Sequence, residues 1–223
     1  MKIKLFDPHI NYEEERVIKN VLKSGFWASG SGSGNVKKFE RRFLQYTKSK
    51  SCVAVNSGTS ALHLALSMYN IKNKEVILPS LSFVSTAHAI IYNGGIPIFA
   101  EVDPKNLCID FNDIKTKISN KTIGIIPVHF AGMPANIKEI SSLSKKNNLF
   151  VIEDAAHAAG ATYDNKPIGS HGNAVCFSFH PVKNLSMPTG GAITFNDKKY
   201  KKYENSVKEK RWCGISNRKG ASY

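Results

Sequence analysis

The sequence predicts an α/β domain with a mostly parallel sheet held between helices, and three observations lead there. From residue 52 onward, short apolar runs rich in β-branched residues alternate with longer segments of helical periodicity. Hydrophobic residues make up 42% and charged residues 22% of the 223-residue chain, which supplies enough apolar surface to cover such a sheet on both faces. Residues able to do chemistry, among them Asp154 and Lys183, fall just after apolar runs. Those positions correspond to the carboxyl ends of strands, where open α/β sheets gather their ligands.

Taken in order, the chain starts with a helix at about Tyr12 to Ser24, followed by Ala28-Ser29-Gly30-Ser31-Gly32-Ser33-Gly34. Glycine and serine in that density cannot hold a helix. The stretch reads either as a plain linker or as a mobile loop at a site or subunit contact. Residues 1–34 are therefore set apart from 35–223, which open with a helix near Asn35. Strands are expected at Cys52 to Val55, Val76 to Leu78, Ile96 to Phe99, Thr122 to Val128, Leu149 to Glu153, Ala174 to Phe179 and Ala192 to Phe195. The intervening helices are expected at Thr59 to Tyr69, Val84 to Tyr92, Phe111 to Ile118 and Asn136 to Lys146, with a last one at Lys198 to Arg211. Such alternation implies parallel strands joined by crossover helices.

Composition narrows the function classes. No apolar run approaches the ~20 residues that span a bilayer, and Met1 to Asp7 lacks the apolar stretch of a secretory signal, so the expected location is cytoplasmic, with no membrane partner. Cys52, Cys108, Cys176 and Cys213 form no metal-binding spacing and read as reduced, mostly buried thiols. The formal net charge is +14, yet the basic residues are dispersed and accompany no helix-turn-helix or zinc-finger pattern. No nucleic-acid partner is expected, and attraction for a phosphorylated small molecule explains the charge better.

Three clusters carry chemistry. In Asn56-Ser57-Gly58-Thr59-Ser60-Ala61-Leu62, a strand gives way to a helix that opens with hydroxyl residues. That arrangement suits an anion at the helix N-terminus, and equally suits simple capping. Asp154 follows Leu149-Phe150-Val151-Ile152-Glu153 and reads either as a carboxylate at the mouth of the sheet, able to pair with a protonated pyridine nitrogen, or as a helix cap. His157, three residues on, packs near a ring in the first case and is structural in the second. In Ser178-Phe179-His180-Pro181-Val182-Lys183-Asn184 a strand runs into a turn with a lysine just beyond it. An amine there is competent to form an imine if its surroundings lower its pKa.

With its motifs in this order the chain resembles the DegT/DnrJ/EryC1/StrS family of nucleotide-sugar aminotransferases, which use pyridoxal 5'-phosphate. The matching stretches are Asn56 to Leu62, Pro79-Ser80-Leu81-Ser82-Phe83-Val84-Ser85-Thr86, Val128-His129-Phe130-Ala131-Gly132-Met133-Pro134-Ala135, Ile152-Glu153-Asp154-Ala155-Ala156-His157, and Ser178 to Lys183. The resemblance implies a fold-type I large domain over residues 35–223. It further implies transfer of an amino group from an amino acid, commonly glutamate, to a keto-sugar linked to a nucleotide, in the making of glycan or polysaccharide sugars. Under the same resemblance Lys183 is the catalytic residue and Schiff-base lysine. Gly58, Thr59, Ser60 and Ser178 hold the cofactor phosphate, Phe83 stacks on its ring, Asp154 meets its nitrogen, and His157 lies close by. A homodimer with sites at the subunit interface is implied as well.

Two departures stand out. Where the family typically shows Thr-Thr-Gly-Glu-Gly-Gly, this chain has Ser186-Met187-Pro188-Thr189-Gly190-Gly191, without the acidic residue. The chain also reaches only Tyr223, a little beyond half the usual family length, so the C-terminal small domain is expected to be missing. An inactive remnant, or half of a split enzyme serving as a binding subunit, is therefore the alternative to an active aminotransferase.

Overall fold

The structure is a computed structural model that describes residue 7 and residues 9–25 and 34–210. The expected Gly/Ser stretch lies outside these except for Gly34, as do Arg211 and Cys213. Helix α1, Tyr12–Ser24, is set by a capping box: the Asn11 side chain accepts the Glu13 N–H at 2.7 Å, and the Glu14 carboxylate accepts the Asn11 N–H at 2.9 Å. None of its residues is buried, so Ile18 and Leu22 face solvent.

From there the chain runs through α2 (Asn35–Thr47), β1 (Ser51–Val55), α3 (Gly58–Leu66), β2 (Glu75–Pro79), α4 (Val84–Tyr92), β3 (Ile96–Ala100), α5 (Phe111–Lys117) and β4 (Thr122–Ile125). It continues with α6 (Ile137–Lys146), β5 (Phe150–Asp154), β6 (Thr162–Tyr163), β7 (Lys166–Pro167), β8 (Ala174–Ser178), β9 (Gly191–Phe195) and α7 (Tyr200–Lys210). Seven strands form one sheet in the order β1-β9-β8-β5-β4-β2-β3, and only β9 runs against its neighbours. That is the mostly parallel α/β sheet the alternation implied.

Both faces are covered. On one, Leu62 and Leu66 of α3 and Ile90 of α4 pack on Val76, Leu78, Ile152 and Ile193. Toward the β1 end of the other, Phe43 of α2 meets Phe177 edge-on at 4.9 Å and Phe179 at 5.4 Å. Toward β3, Ile114 of α5 and Ile140 of α6 close over Ile77, Ile125 and Val151. Each such side chain taken from water contributes about 1.5–3 kcal/mol before chain entropy is charged against it. Cys52, Cys108 and Cys176 are free and buried, with burial pushing each thiol's pKa up.

Element limits differ from expectation in a few places. The fourth strand stops at Ile125, because Pro127 has no N–H to give a ladder; its carbonyl still accepts the Asp154 N–H at 2.9 Å. Helix α3 ends at Leu66, where the Ser67 hydroxyl turns back to the Leu64 carbonyl at 2.7 Å. The β6–β7 hairpin was not anticipated. Its turn residues Asp164 and Asn165 sit at φ 50 and 59, the left-handed conformation these residue types tolerate best.

Candidate active site

Five of the parallel strands, β1, β2, β4, β5 and β8, send their carboxyl-terminal ends toward one cleft of about 250 Å³, whose walls include Gly58, Thr59, Phe83, Asp154, Ser178 and Lys183. His157 lines it too. Seven of the eight residues singled out in the sequence are thus gathered in one cavity. Ser60 is the exception. Two residues past Gly58 the helix has turned by about 200°, so Ser60 lines a neighbouring cavity of about 600 Å³. Its hydroxyl lies 3.0 Å from that of Ser57.

One wall is the start of α3. Ser57 is its N-cap, in extended conformation, and its hydroxyl accepts the Ser60 N–H at 3.1 Å. Gly58 and Thr59 occupy the first helical positions, whose N–H groups have no acceptor within a helix. Gly58 is a glycine for a steric reason: a Cβ there would stand 2.7 Å from Ser178 Cβ. Its absence lets the helix start lie against the end of β8, and the N-terminal dipole, Thr59 and Ser178 face the same space.

The floor is Asp154, only 4% exposed. Its Oδ1 accepts the Ala156 N–H at 3.1 Å and its Oδ2 accepts the Thr86 hydroxyl at 2.8 Å. Thr86 in turn accepts from the Ser82 hydroxyl at 2.6 Å. The next residue after Ser82 is Phe83, the N-cap of α4, which lines the cleft and is 72% exposed.

Lys183 stands in the turn after β8, where its own N–H donates to the His180 carbonyl at 2.8 Å. Burial lowers its pKa from the ordinary 10.5, an effect that attraction to Asp154 opposes. The pKa of His157 is lowered as well, first by burial and then by the Lys183 charge, with Asp154 acting in the other direction. Its Nδ1 accepts the Ala131 N–H at 3.3 Å, and its ring meets Phe130 edge-on. The arrangement offers an anion seat, a buried carboxylate and a partly desolvated amine within one cleft.

Two contributors had no role in the sequence reading. Thr86 falls within the segment around Phe83, and its signal is the i, i+4 spacing from Ser82 at a helix start. Thr189 lies where the acidic residue of the resembled family was expected, and its hydroxyl donates to the Asn56 carbonyl at 2.9 Å.

The chain is similar to known proteins in both sequence and fold. The chain is 40% identical over 191 residues to the spore coat polysaccharide biosynthesis protein SpsC of Bacillus subtilis, covering 85% of this chain and 48% of that one. It is 37% identical over 197 residues to GDP-perosamine synthase of Escherichia coli O157:H7, covering 88% and 54%. An aminotransferase from Psychrobacter cryohalolentis has the same fold at a TM-score of 0.84 and 31% identity, over 92% of this chain and 52% of that one. The chain thus spans about half the length of the relatives it matches. A family model matches residues 8–223, and on that match the chain belongs to the DegT/DnrJ/EryC1/StrS aminotransferase family.

Proposed function

We propose that this chain is the cofactor-bearing part of a pyridoxal 5'-phosphate-dependent aminotransferase that moves an amino group from glutamate to a nucleotide-linked keto-sugar. The observation that carries the reading is the meeting of Lys183, Asp154 and the α3 N-terminus in a single cleft. The donor set fits the cofactor: a helix start cleared of a Cβ at Gly58 suits a phosphate, and a buried acid suits a pyridine nitrogen. When bound, this cofactor supplies an aldehyde for amine capture and a protonated ring that accepts electron density.

The chain's own residues do the remaining work. Gly58 and Thr59 offer backbone N–H groups to the phosphate, and Thr59 and Ser178 add hydroxyls. Phe83 covers one face of the ring and fixes its plane, while Asp154 keeps the ring nitrogen protonated. Lys183 would hold the aldehyde carbon covalently. Once displaced by the incoming amine, it would take a proton from the substrate carbon bonded to that amine nitrogen and return it to the former aldehyde carbon on the nitrogen's other side, for which a lowered pKa suits it.

The partners we assign are a nucleotide sugar, an amino-acid donor and a second copy of the chain, with the cytoplasm as location. Family membership and GDP-perosamine synthase among the relatives support the sugar. Three free, buried cysteines agree with a reducing compartment. No described helix is long and apolar enough to cross a membrane.

The test is direct. The purified chain is incubated with pyridoxal phosphate, reduced with borohydride and mapped by mass spectrometry, then exposed unreduced to glutamate. The expected outcome is a label on Lys183 that Lys183→Ala loses without a change in thermal stability, together with conversion of bound aldehyde to the amine form. Labelling elsewhere would refute the reading. Labelling of Lys183 without conversion would support the second reading, a cofactor-holding subunit that lacks turnover.

A further inference from the structure

We propose that Thr86 is a positioning residue for Asp154, and that Ser82, Thr86 and Asp154 form a one-way hydrogen-bond chain that fixes how the carboxylate meets the cofactor ring; this rests on the function proposed above. Thr86 is fully buried and has one proton to give. It gives it to Asp154 Oδ2 at 2.8 Å, and one of its two acceptor lone pairs takes the Ser82 hydroxyl at 2.6 Å. The acceptor at its end sets the direction of the chain: the Thr86 proton goes to Asp154, the Ser82 proton is shared between Thr86 and the Phe83 carbonyl, and the Thr86 donor stabilises the charged carboxylate more than the neutral acid. Oδ1 is held separately by the Ala156 N–H at 3.1 Å. With one donor on each oxygen the carboxylate plane cannot rotate, and a lone pair on each oxygen is left for the cleft.

The same helical turn carries Phe83. The Thr86 N–H donates to the Phe83 carbonyl at 3.0 Å, and the Ser82 hydroxyl also lies 3.2 Å from that carbonyl. Thr86 thus ties the residue proposed to cover the ring face to the residue proposed to meet the ring nitrogen. A methyl in place of the hydroxyl would leave Oδ2 buried without a donor, free to twist out of plane or to seek the Lys183 ammonium.

The experiment compares wild type, Thr86→Val, which keeps the shape, and Thr86→Ser, which keeps the hydroxyl. In the unloaded chain the carbon-13 resonance of the Asp154 carboxylate is expected to move in the valine variant and return in the serine one. In the loaded chain, borohydride labelling of Lys183 is expected to persist in all three, while the glutamate half-reaction falls about tenfold in Thr86→Val, the worth of one hydrogen bond to a charged group, and recovers to within about threefold in Thr86→Ser. An unmoved resonance in the valine variant, or a serine variant as impaired as valine, overturns the proposal. Should wild type fail to label at Lys183, the functional reading falls, while the resonance of the unloaded chain still decides whether the Thr86 hydroxyl holds Asp154.

Discussion

Replacing Gly58 by alanine sets two effects of known size against each other. Alanine is the better helix former by about 1 kcal/mol in a helix interior, and less at the first position. Against this, the new Cβ would lie 2.7 Å from Ser178 Cβ, 3.2 Å from its hydroxyl and 3.3 Å from its Cα, whereas ordinary contact begins near 3.4 Å. Two of those atoms belong to or adjoin the backbone of β8, a strand paired on both sides, so they cannot swing away. Overpacking of this kind costs about 1–3 kcal/mol, so steric strain wins and the start of α3 must withdraw from Ser178 by several tenths of an ångström.

The withdrawal matters more for ligand than for fold. Thr59 and the first N–H groups of α3 move with the helix, while Ser178 stays with the sheet, so the two halves of the phosphate seat separate. Losing one charge-assisted hydrogen bond, worth about 1.5–3 kcal/mol, weakens pyridoxal phosphate binding roughly tenfold to a hundredfold. Titration followed by absorbance, beside a melt of the unloaded protein, is the assay. A large loss of affinity with a modest loss of stability is expected. An affinity within twofold of wild type would show that Gly58 and Ser178 do not share a ligand, and would refute the reasoning.

Two more predictions concern charge. Because burial lowers the Lys183 pKa, the native state holds fewer protons than the unfolded chain between the depressed value and 10.5. The lysine's contribution to stability therefore rises with pH across that window, and the rate of pyridoxal phosphate capture, which needs the neutral amine, should rise with a midpoint below 10.5; a stopped-flow profile with its midpoint at or above that value would contradict this. Asp154→Asn keeps an acceptor oxygen for the Thr86 hydroxyl but removes the charge, so the glutamate half-reaction should fall on the order of a hundredfold while cofactor affinity changes by less than about tenfold. Equal half-reaction rates in the two proteins would remove Asp154 from its role.

The sheet was legible because its signals are local. Each buried strand is a short β-branched run, and each helix has an apolar stripe, so alternation alone gave the order of elements and placed Thr59, Asp154 and Lys183 at strand ends. Contacts between distant segments left no such trace. The His129 ring lies 2.8 Å from the Glu153 carboxylate with both side chains fully buried, and its Nδ1 accepts the Ala135 N–H at 3.0 Å, yet the residues meet only after β4 and β5 pair. The reversed direction of β9 was invisible for the same reason, since an apolar run does not state which way it will pair. Thr86 escaped notice because one threonine in a helix full of small residues reads as packing until its distance to Asp154 is known.

That reversal decides how firmly the lysine is held. Lys183 lies in the connection between β8 and β9, which would be a loose strand-end loop if the next strand began at the far edge of the sheet. Because β9 runs antiparallel to both β1 and β8, the connection leaves and re-enters the sheet at the same mouth, and both of its ends are tied there. The Phe179 N–H donates to the Gly190 carbonyl at 2.9 Å, the Met187 N–H to the Phe179 carbonyl at 2.8 Å, and Thr189 to the Asn56 carbonyl at 2.9 Å; between them the Asn184 side chain donates to the Ala159 carbonyl. Gly191 lets the return strand come close, since a Cβ there would stand 2.4 Å from the Ser57 carbonyl oxygen. The lysine loop is thereby fastened to the segment that starts α3 and to the segment that follows Asp154. A lysine whose loop is tied to both segments keeps its orientation at little further entropic cost on binding, which is the condition that the role proposed for Lys183 requires.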